Sequence, residues 1–259
     1  MAAEDWSRSI REKIPGIVSK HRVARELFGK VGEDMDPNEI GETWVKGGPD
    51  TEDISERGER ITVLATPKFE RVAVSPISIK VQGNSASWFQ GRYPFGDYFL
   101  DNIGRRVAAQ ETTKLVRDLV DKAREVKTFG SQLKKSDVNE AAAWIRSNGH
   151  VPDTLLVHPR RTVELVSRSE IRQKWDLPQF LWDKKGLHFV GFMDDIDVYW
   201  VAEMPLEMCL LYEKSETHAQ IGKVETKFGH VSEPSFLVTE KCLAWAYNAN
   251  ALAKVGLTK

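Results

Sequence analysis

One stretch, residues 97–126 (DYFLDNIGRRVAAQETTKLVRDLVDKAREV), limits more than any other what this chain can fold into. Leu100, Ile103, Val107, Leu115, Leu119 and Val126 recur at three- and four-residue steps, the period of one helix face. Ala108, Val116, Val120 and Ala123 widen the stripe. At ~1.5 Å per residue the stretch predicts a rod of roughly 45 Å, well beyond the average helix of ~11–12 residues. A rod with so long an apolar face needs a flat partner. One polar residue interrupts it: Glu111 stands four residues after Val107 and four before Leu115. Burying a lone carboxylate is costly, so Glu111 must meet a cation or stand at a wet seam. A bridge inside the subunit is expected first, and one between subunits is the alternative.

The chain has 259 residues, 41% apolar and 29% charged, enough to bury a sizeable core in one large domain or two smaller ones. No apolar run approaches the ~18–20 residues of a membrane span. The start, Met1-Ala-Ala-Glu-Asp, has neither the basic residues nor the apolar stretch of a secretory signal. Cys209 and Cys242 supply no disulfide framework and no metal spacing, so an intracellular site of synthesis is expected. The near-zero net charge hides a polarised leader. Residues 1–30 carry seven basic against four acidic residues, and residues 31–60 three against ten. Such a leader is either a solvated segment or an arm whose halves seek oppositely charged surfaces on neighbouring copies. Eight tryptophans are spread along the chain; they suit either a core or interfaces, which are enriched in Trp.

Residues 1–60 read as an arm. Pro15 is expected to interrupt any helix there, residues 17–28 suit a short basic turn and helix, and Gly, Pro and acidic residues dominate residues 32–58. Residues 71–81 (RVAVSPISIKV) alternate as a strand whose phase slips at Pro76, the mark of a bulge or edge. Gly83-Asn84-Ser85 supplies a turn and residues 87–93 (SWFQGRY) return, which predicts an extended hairpin. An isolated hairpin is marginal in water, so this one must lie on its own domain or on a neighbour. Beyond the rod, Gly130 breaks the chain. Ser136-Asp137 starts a helix with Glu140 in capping-box spacing, and Gly149 stops it. Thr154-Leu-Leu-Val157 is a buried strand, and Pro159 opens a helix to about residue 168. Residues 171–186 are irregular. Strands are expected at 188–192, 197–202, 208–214, 219–227 and 235–237, and residues 240–252 fit a strand or a helix.

The candidates for chemistry are few. Asp194, Asp195 and Asp197 lack the glycine and distal glutamate of a calcium loop. His158 beside Pro159, Arg160 and Arg161 has no glycine-rich loop before it, so it does not read as a phosphate site. No HExxH, GxSxG or dinucleotide fingerprint is present, and no enzyme, cofactor or metal is expected. Arg161, Arg168 and Arg172, with Lys174, form either a solvated helix face or a basic face for a nucleic acid.

The order of these pieces, over residues 61–255, resembles the major capsid protein of tailed bacteriophages and tailed archaeal viruses. The segment ETTKLVRDLVDKA, opened by Glu111, looks like that family's spine helix. DTLLVHPRRTVELV (153–166) is similar to its strand and Pro-started helix, and IDVYWVAEMP (196–205) with the segment from Cys209 onward looks like its closing strands. The resemblance implies an α+β capsid fold of the Hong-Kong-97 type. Its parts would be an N-terminal arm (1–60), an extended hairpin loop (61–96), a spine helix with a peripheral domain (97–150), a mainly axial domain (151–235) and a C-terminal return (236–259). It implies a structural protein whose pentamers and hexamers close into an icosahedral shell around double-stranded DNA, held without sequence specificity. Scaffold, portal or decoration proteins are further expected partners, a membrane is not, and the location is the virion capsid after synthesis in the host cytoplasm. Assembly candidates are Glu111, Arg71, Lys80, Trp88 and Arg92, and Arg161, Arg168 and Arg172 would face the genome. The leader is too short for a large cleaved scaffolding segment, and Lys80 and Asn84 lack the partners of a Lys–Asn cross-link, so neither processing nor cross-linking is expected. Two rival readings are a protein nanocompartment of the same fold and a nucleic-acid-binding module using the helix at 160–174.

Overall fold

A computed structural model of the chain describes residues 3–45, 68–72, 74–82, 97–179, 185–229 and 235–257. The rod is there: helix α3 (Asp97–Lys122), which follows α1 (Ala3–His21) and α2 (Ala24–Leu27), runs for 26 residues, about 39 Å. It stops one turn sooner than its periodicity suggests. Val126, expected on the helix, lies in strand β5 (Arg124–Phe129), which pairs in parallel with the last strand, β15 (Leu252–Leu257). A ladder partner from the far end of the chain outcompetes one more helical turn.

The leader departs furthest from expectation. Helix α1 continues through Pro15, although proline removes a backbone donor and crowds the preceding turn. Ile10 and Ile14 on one side of Pro15 and Val18 on the other are fully buried, packed with Leu100, Ile103, Val107 and Ala108 of α3 and Phe236 and Val238 of the C-terminal strands. Both halves dock on the same partners, and that packing outweighs the local cost of the proline. Part of the expected arm is thus core.

Strand β1 (Lys30–Met35) then joins β11 (Thr217–Gly222) and β14 (Cys242–Ala246) in a three-stranded sheet. Beneath it, Leu115, Leu119 and Val120 of α3 pack with Ala219, Ile221, Cys242 and Ala244. The flat partner of the rod is therefore supplied by the C-terminal strands, with α1 covering its first half.

The largest sheet has seven strands in the order β5-β15-β10-β6-β9-β8-β7. Its remaining members are β6 (Thr154–Val157), β7 (Arg172–Gln173), β8 (Phe189–Met193), β9 (Ile196–Trp200) and β10 (Met208–Tyr212). Helices α4 (Lys135–Ser147) and α5 (Pro159–Ser167) bury Val138, Ala141, Ile145 and Leu165 in the core that this sheet shares. The capping contact of α4 sits one turn earlier than expected: Asp137 is the third helical residue, and its Oδ2 accepts from the Lys134 amide at 3.0 Å. Of residues 240–252, the first ends the preceding strand, and the rest resolve into β14, a single 3-10 turn (Ala249–Ala251) and the start of β15.

The strands around Pro76 do not pair with each other. Strand β3 (Lys68–Arg71) lies antiparallel to β2 (Glu42–Val45), whereas β4 (Ile77–Gln82) lies antiparallel to β13 (Ser235–Glu240), itself paired with β12 (Glu225–Phe228). The phase slip at Pro76 marks a change of sheet. The expected returning arm at 87–93, with Trp88 and Arg92, lies outside the described residues.

Candidate assembly site at the long helix

The polar centre of the molecule is built on the break between α1 and α2. There Arg22 is turned inward, with its side chain 2% exposed. Its Nε donates to Glu111 Oε2 of α3 at 3.0 Å, and its Nη2 donates to Glu240 Oε1 at the end of β13. Both carboxylates are fully buried. On the other side, β1 slips register between Gly32 and Met35, and Asp34 takes a left-handed backbone (φ 54°) that Asp tolerates better than most residues. This irregularity brings Glu33 and Asp34 to 3.6 and 3.7 Å from Arg22 Nη1. Arg25 of α2 closes the cluster with a bidentate bond to Glu33, 2.6 Å for each.

The bridge of Glu111 is thus internal to the subunit, as the sequence reading placed first. The oppositely charged halves of the leader also meet each other here, through Arg22 and Arg25 against Glu33 and Asp34, a contact within the subunit that neither a solvated segment nor an arm directed at neighbouring copies anticipates. Burial pushes the Glu111 carboxyl up to about 8, with Glu240 adding to the rise against the pull of Arg22. Burial likewise raises Glu240. For Arg22 burial acts downward, but the two carboxylates outweigh it and its pKa lies above the usual guanidinium value.

A second contact fastens α1 along α3. His21 Nε2 meets Asp101 Oδ1 at 2.8 Å, and Asp101 Oδ2 accepts from Arg105 at 2.7 Å. Nearby, Gly104 lets the helices touch: a Cβ there would overlap Ile17 Cγ2 and lie 3.1 Å from Ile17 Cβ.

The other predicted site residues scatter. Lys80 is on the exposed side of β4, whose inward residues are Ile77, Ile79 and Val81. β4 has a partner, β13, on one side only among the described residues. Arg71 ends β3, opposite Glu42. The expectation that Arg161 faces a genome fails, because the residue is buried and its guanidinium is used up inside the subunit. Its Nε donates to Leu206 O at 3.0 Å and its Nη1 to Ser131 O at 2.9 Å and Glu164 Oε1 at 2.8 Å, over the ring of Phe129. Arg168 is half-buried and likewise turned to Leu133 O (3.1 Å) and the Gln132 side chain. Arg172 is exposed on β7. Asp194 and Asp197 are in ion pairs with Lys135 and Lys185.

Sequence reasoning missed Arg22 and Glu240. Glu240 did carry a signal: in β13, Phe236, Val238 and Glu240 alternate inward, so it is a carboxylate on an apolar stripe like Glu111. Arg22 had none, since nothing local turns a basic residue inward.

None of the tryptophans whose side chains are described, Trp144, Trp175, Trp200 and Trp245, is fully buried. Trp175 is 73% exposed, and with Trp200, Pro159, Thr162 and Phe189 it lines an open groove of about 350 Å³. Val163 and Leu187, both strongly exposed, adjoin it in sequence. No helix among the described residues is long and apolar enough to cross a membrane.

No family model matches the sequence, and no curated protein does. Solved structures do match. A virus-like particle from Pyrococcus furiosus aligns over 96% of this chain and 98% of its own, with TM-score 0.60 and 14% identity. The chain has the Hong-Kong-97-type capsid fold. Two further shells make the same point at the level of fold: the SrpI encapsulin complex from Synechococcus elongatus PCC 7942 (TM-score 0.57, 13% identity, 88% of this chain and 84% of that one) and the capsid of an empty GTA particle (0.59, 7%, 91% and 90%). In this capsid fold α3 is the spine helix, and Arg22 ties the leader to it.

Proposed function

We propose that the chain is a major capsid protein whose copies assemble through pentamers and hexamers into an icosahedral shell around double-stranded DNA. The observation that carries the reading is the match in fold to shell-forming proteins along nearly the whole chain, with the spine helix held between leader and C-terminal strands. Shell subunits need large lateral surfaces, and Trp175 and Trp200 in one groove, with the exposed Val163 and Leu187, supply apolar area that a lone subunit leaves wet. The seven-stranded sheet would carry the axial domain, with β5 and β15 linking it to the spine. Repetition of modest contacts in a closed assembly supplies the stability. DNA would be held by charge without sequence readout, and Arg172 is the residue of the predicted basic trio free to contribute. Scaffold, portal or decoration proteins would join the same assembly.

The likeness to the Pyrococcus particle and the encapsulin favours a second reading, a nanocompartment that encloses a protein cargo. Electron microscopy of the purified protein, followed by analysis of what survives nuclease and protease treatment, separates the two. Particles with protected double-stranded DNA are expected. Particles holding only a folded protein favour the nanocompartment, and a monomer or small oligomer at all concentrations overturns both.

A further inference from the structure

Arg22 faces four carboxylates: Glu111 from the spine helix, Glu240 from β13, and Glu33 and Asp34 from β1. Glu33 is neutralised by its bidentate bond to Arg25, and Asp34 is 67% exposed and solvated. Lys223, Glu225, Lys227 and Lys241 line a cavity that Glu240 also borders, Lys227 pairs with Glu225 at 3.8 Å, and none of these lysines forms an ion pair with Glu240 among the described residues. Lys114 pairs with Asp118 along the spine helix, and Lys241 donates to Pro37 O at 3.0 Å. The thiol of Cys242 is buried, and burial raises its pKa well above the free value. One guanidinium therefore serves two fully buried carboxylates, and if both ionise the site carries an uncompensated negative charge.

The hydrogen bonding has a matching defect. Glu111 Oε1 and Glu240 Oε2 are both buried, and neither has a donor among the described residues. A proton on either carboxyl makes it a donor, and it cancels the surplus charge at the same time. We propose that Glu111 and Glu240 share one proton over Arg22 at neutral pH, so that the joint between the leader helices, the spine helix and β13 is a latch that loosens in alkali.

The electrostatics agree with the geometry: burial first, and Glu240 second, push Glu111 up to about 8 from an ordinary value of 4.5. The folded chain then holds a proton that the unfolded chain releases. The stability that this proton supplies is complete below about pH 4.5 and is lost as pH rises through about 8. The proposal does not depend on what the chain encloses.

Thermal unfolding of the full chain from about pH 6 to about pH 9.5 tests it. The wild-type midpoint is expected to fall from about pH 6 and to level off above about pH 8, and this fall is expected to vanish in Glu111→Gln, whose amide N–H replaces the proton permanently. A wild type without the fall, or a variant that keeps it, overturns the proposal. Infrared difference spectra of the wild type read the same proton without any variant. A buried carboxylic-acid C=O band present at about pH 6 and absent at about pH 9.5 is expected, and no such band at about pH 6 also overturns it.

Discussion

Arg22 and Glu111, 89 residues apart in the chain, meet at 3.0 Å with their side chains 2% and 0% exposed. A pair so dry is conditional: each member is tolerable only while the other is present. Because Arg22 also binds Glu240, 218 residues away, one side chain joins three elements that are distant in sequence.

Removal of Arg22 should therefore be far worse than removal of a surface charge. Arg22→Met is expected to cost about 3–5 kcal/mol in denaturant unfolding, since the buried Glu111–Glu240 pair, with its one negative charge, loses its counter-ion and donor. Replacing the trio together (Arg22→Met, Glu111→Leu, Glu240→Met) should recover most of that loss. A single variant within about 1 kcal/mol of wild type would show that the cluster is slack.

The crossing of α1 on the spine helix depends on one missing side chain. Gly104→Ala drives a methyl into Ile17 and is expected to cost about 1–3 kcal/mol. Ile17→Ala in the same background should restore part of it by reopening the space. If calorimetry finds Gly104→Ala stabilising, as a glycine replaced inside a helix can be, the helices have room that the geometry denies them.

Two arginines that look alike in sequence should behave oppositely. Arg161→Ala removes three hydrogen bonds around a buried guanidinium and is expected to lower stability by about 2–3 kcal/mol. Arg172→Ala, on an exposed strand, should stay within about 0.5 kcal/mol. Equal effects in chemical unfolding would refute the contrast.

Acid should attack a different joint from alkali. Glu26 on α2 accepts from the Leu187 and His188 amides at 3.2 and 3.0 Å and from His188 Nδ1 at 3.1 Å. Burial pulls its carboxyl upward, yet these donors prevail and hold it below the ordinary range. A carboxyl lowered in the folded state adds stability above its unfolded value, about 4.5, and that share is lost as pH falls through the folded value. Glu26→Gln should lower stability at neutral pH by about 1–2 kcal/mol and make the fall in unfolding midpoint below about pH 4.5 shallower. An unchanged acid slope would place the acid-sensitive group elsewhere.

Much of the architecture was legible in the chain. The rod that opens at Asp97, the buried strand before His158 and the Pro159-started helix follow from periodicity and capping, which act within a turn or two. His158 even caps that helix, its Nδ1 accepting from the Arg160 amide at 3.1 Å. The errors lie where a distant partner overrode a local preference. Pro15 alone predicts a break, and packing on the spine helix carries α1 through it. Val126 matched the helical stripe, and β15 drew it into a sheet. Arg161 looked like part of a basic face, and the carbonyls of Ser131 and Leu206 took its donors.

By itself the sequence determined the elements and the anomaly among them: a long helix, a strand-rich second half, and a carboxylate on an apolar stripe that had to find a cation. Both kinds of information are local, because helix and strand periods and the cost of an unpaired charge can be read residue by residue. Which cation answered Glu111, that Glu240 would compete for it, and that the leader would dock as core were decided only by the tertiary structure. Those outcomes depend on the burial that residues separated by 89 and 218 positions impose on one another, a property of the closed fold and of no segment alone.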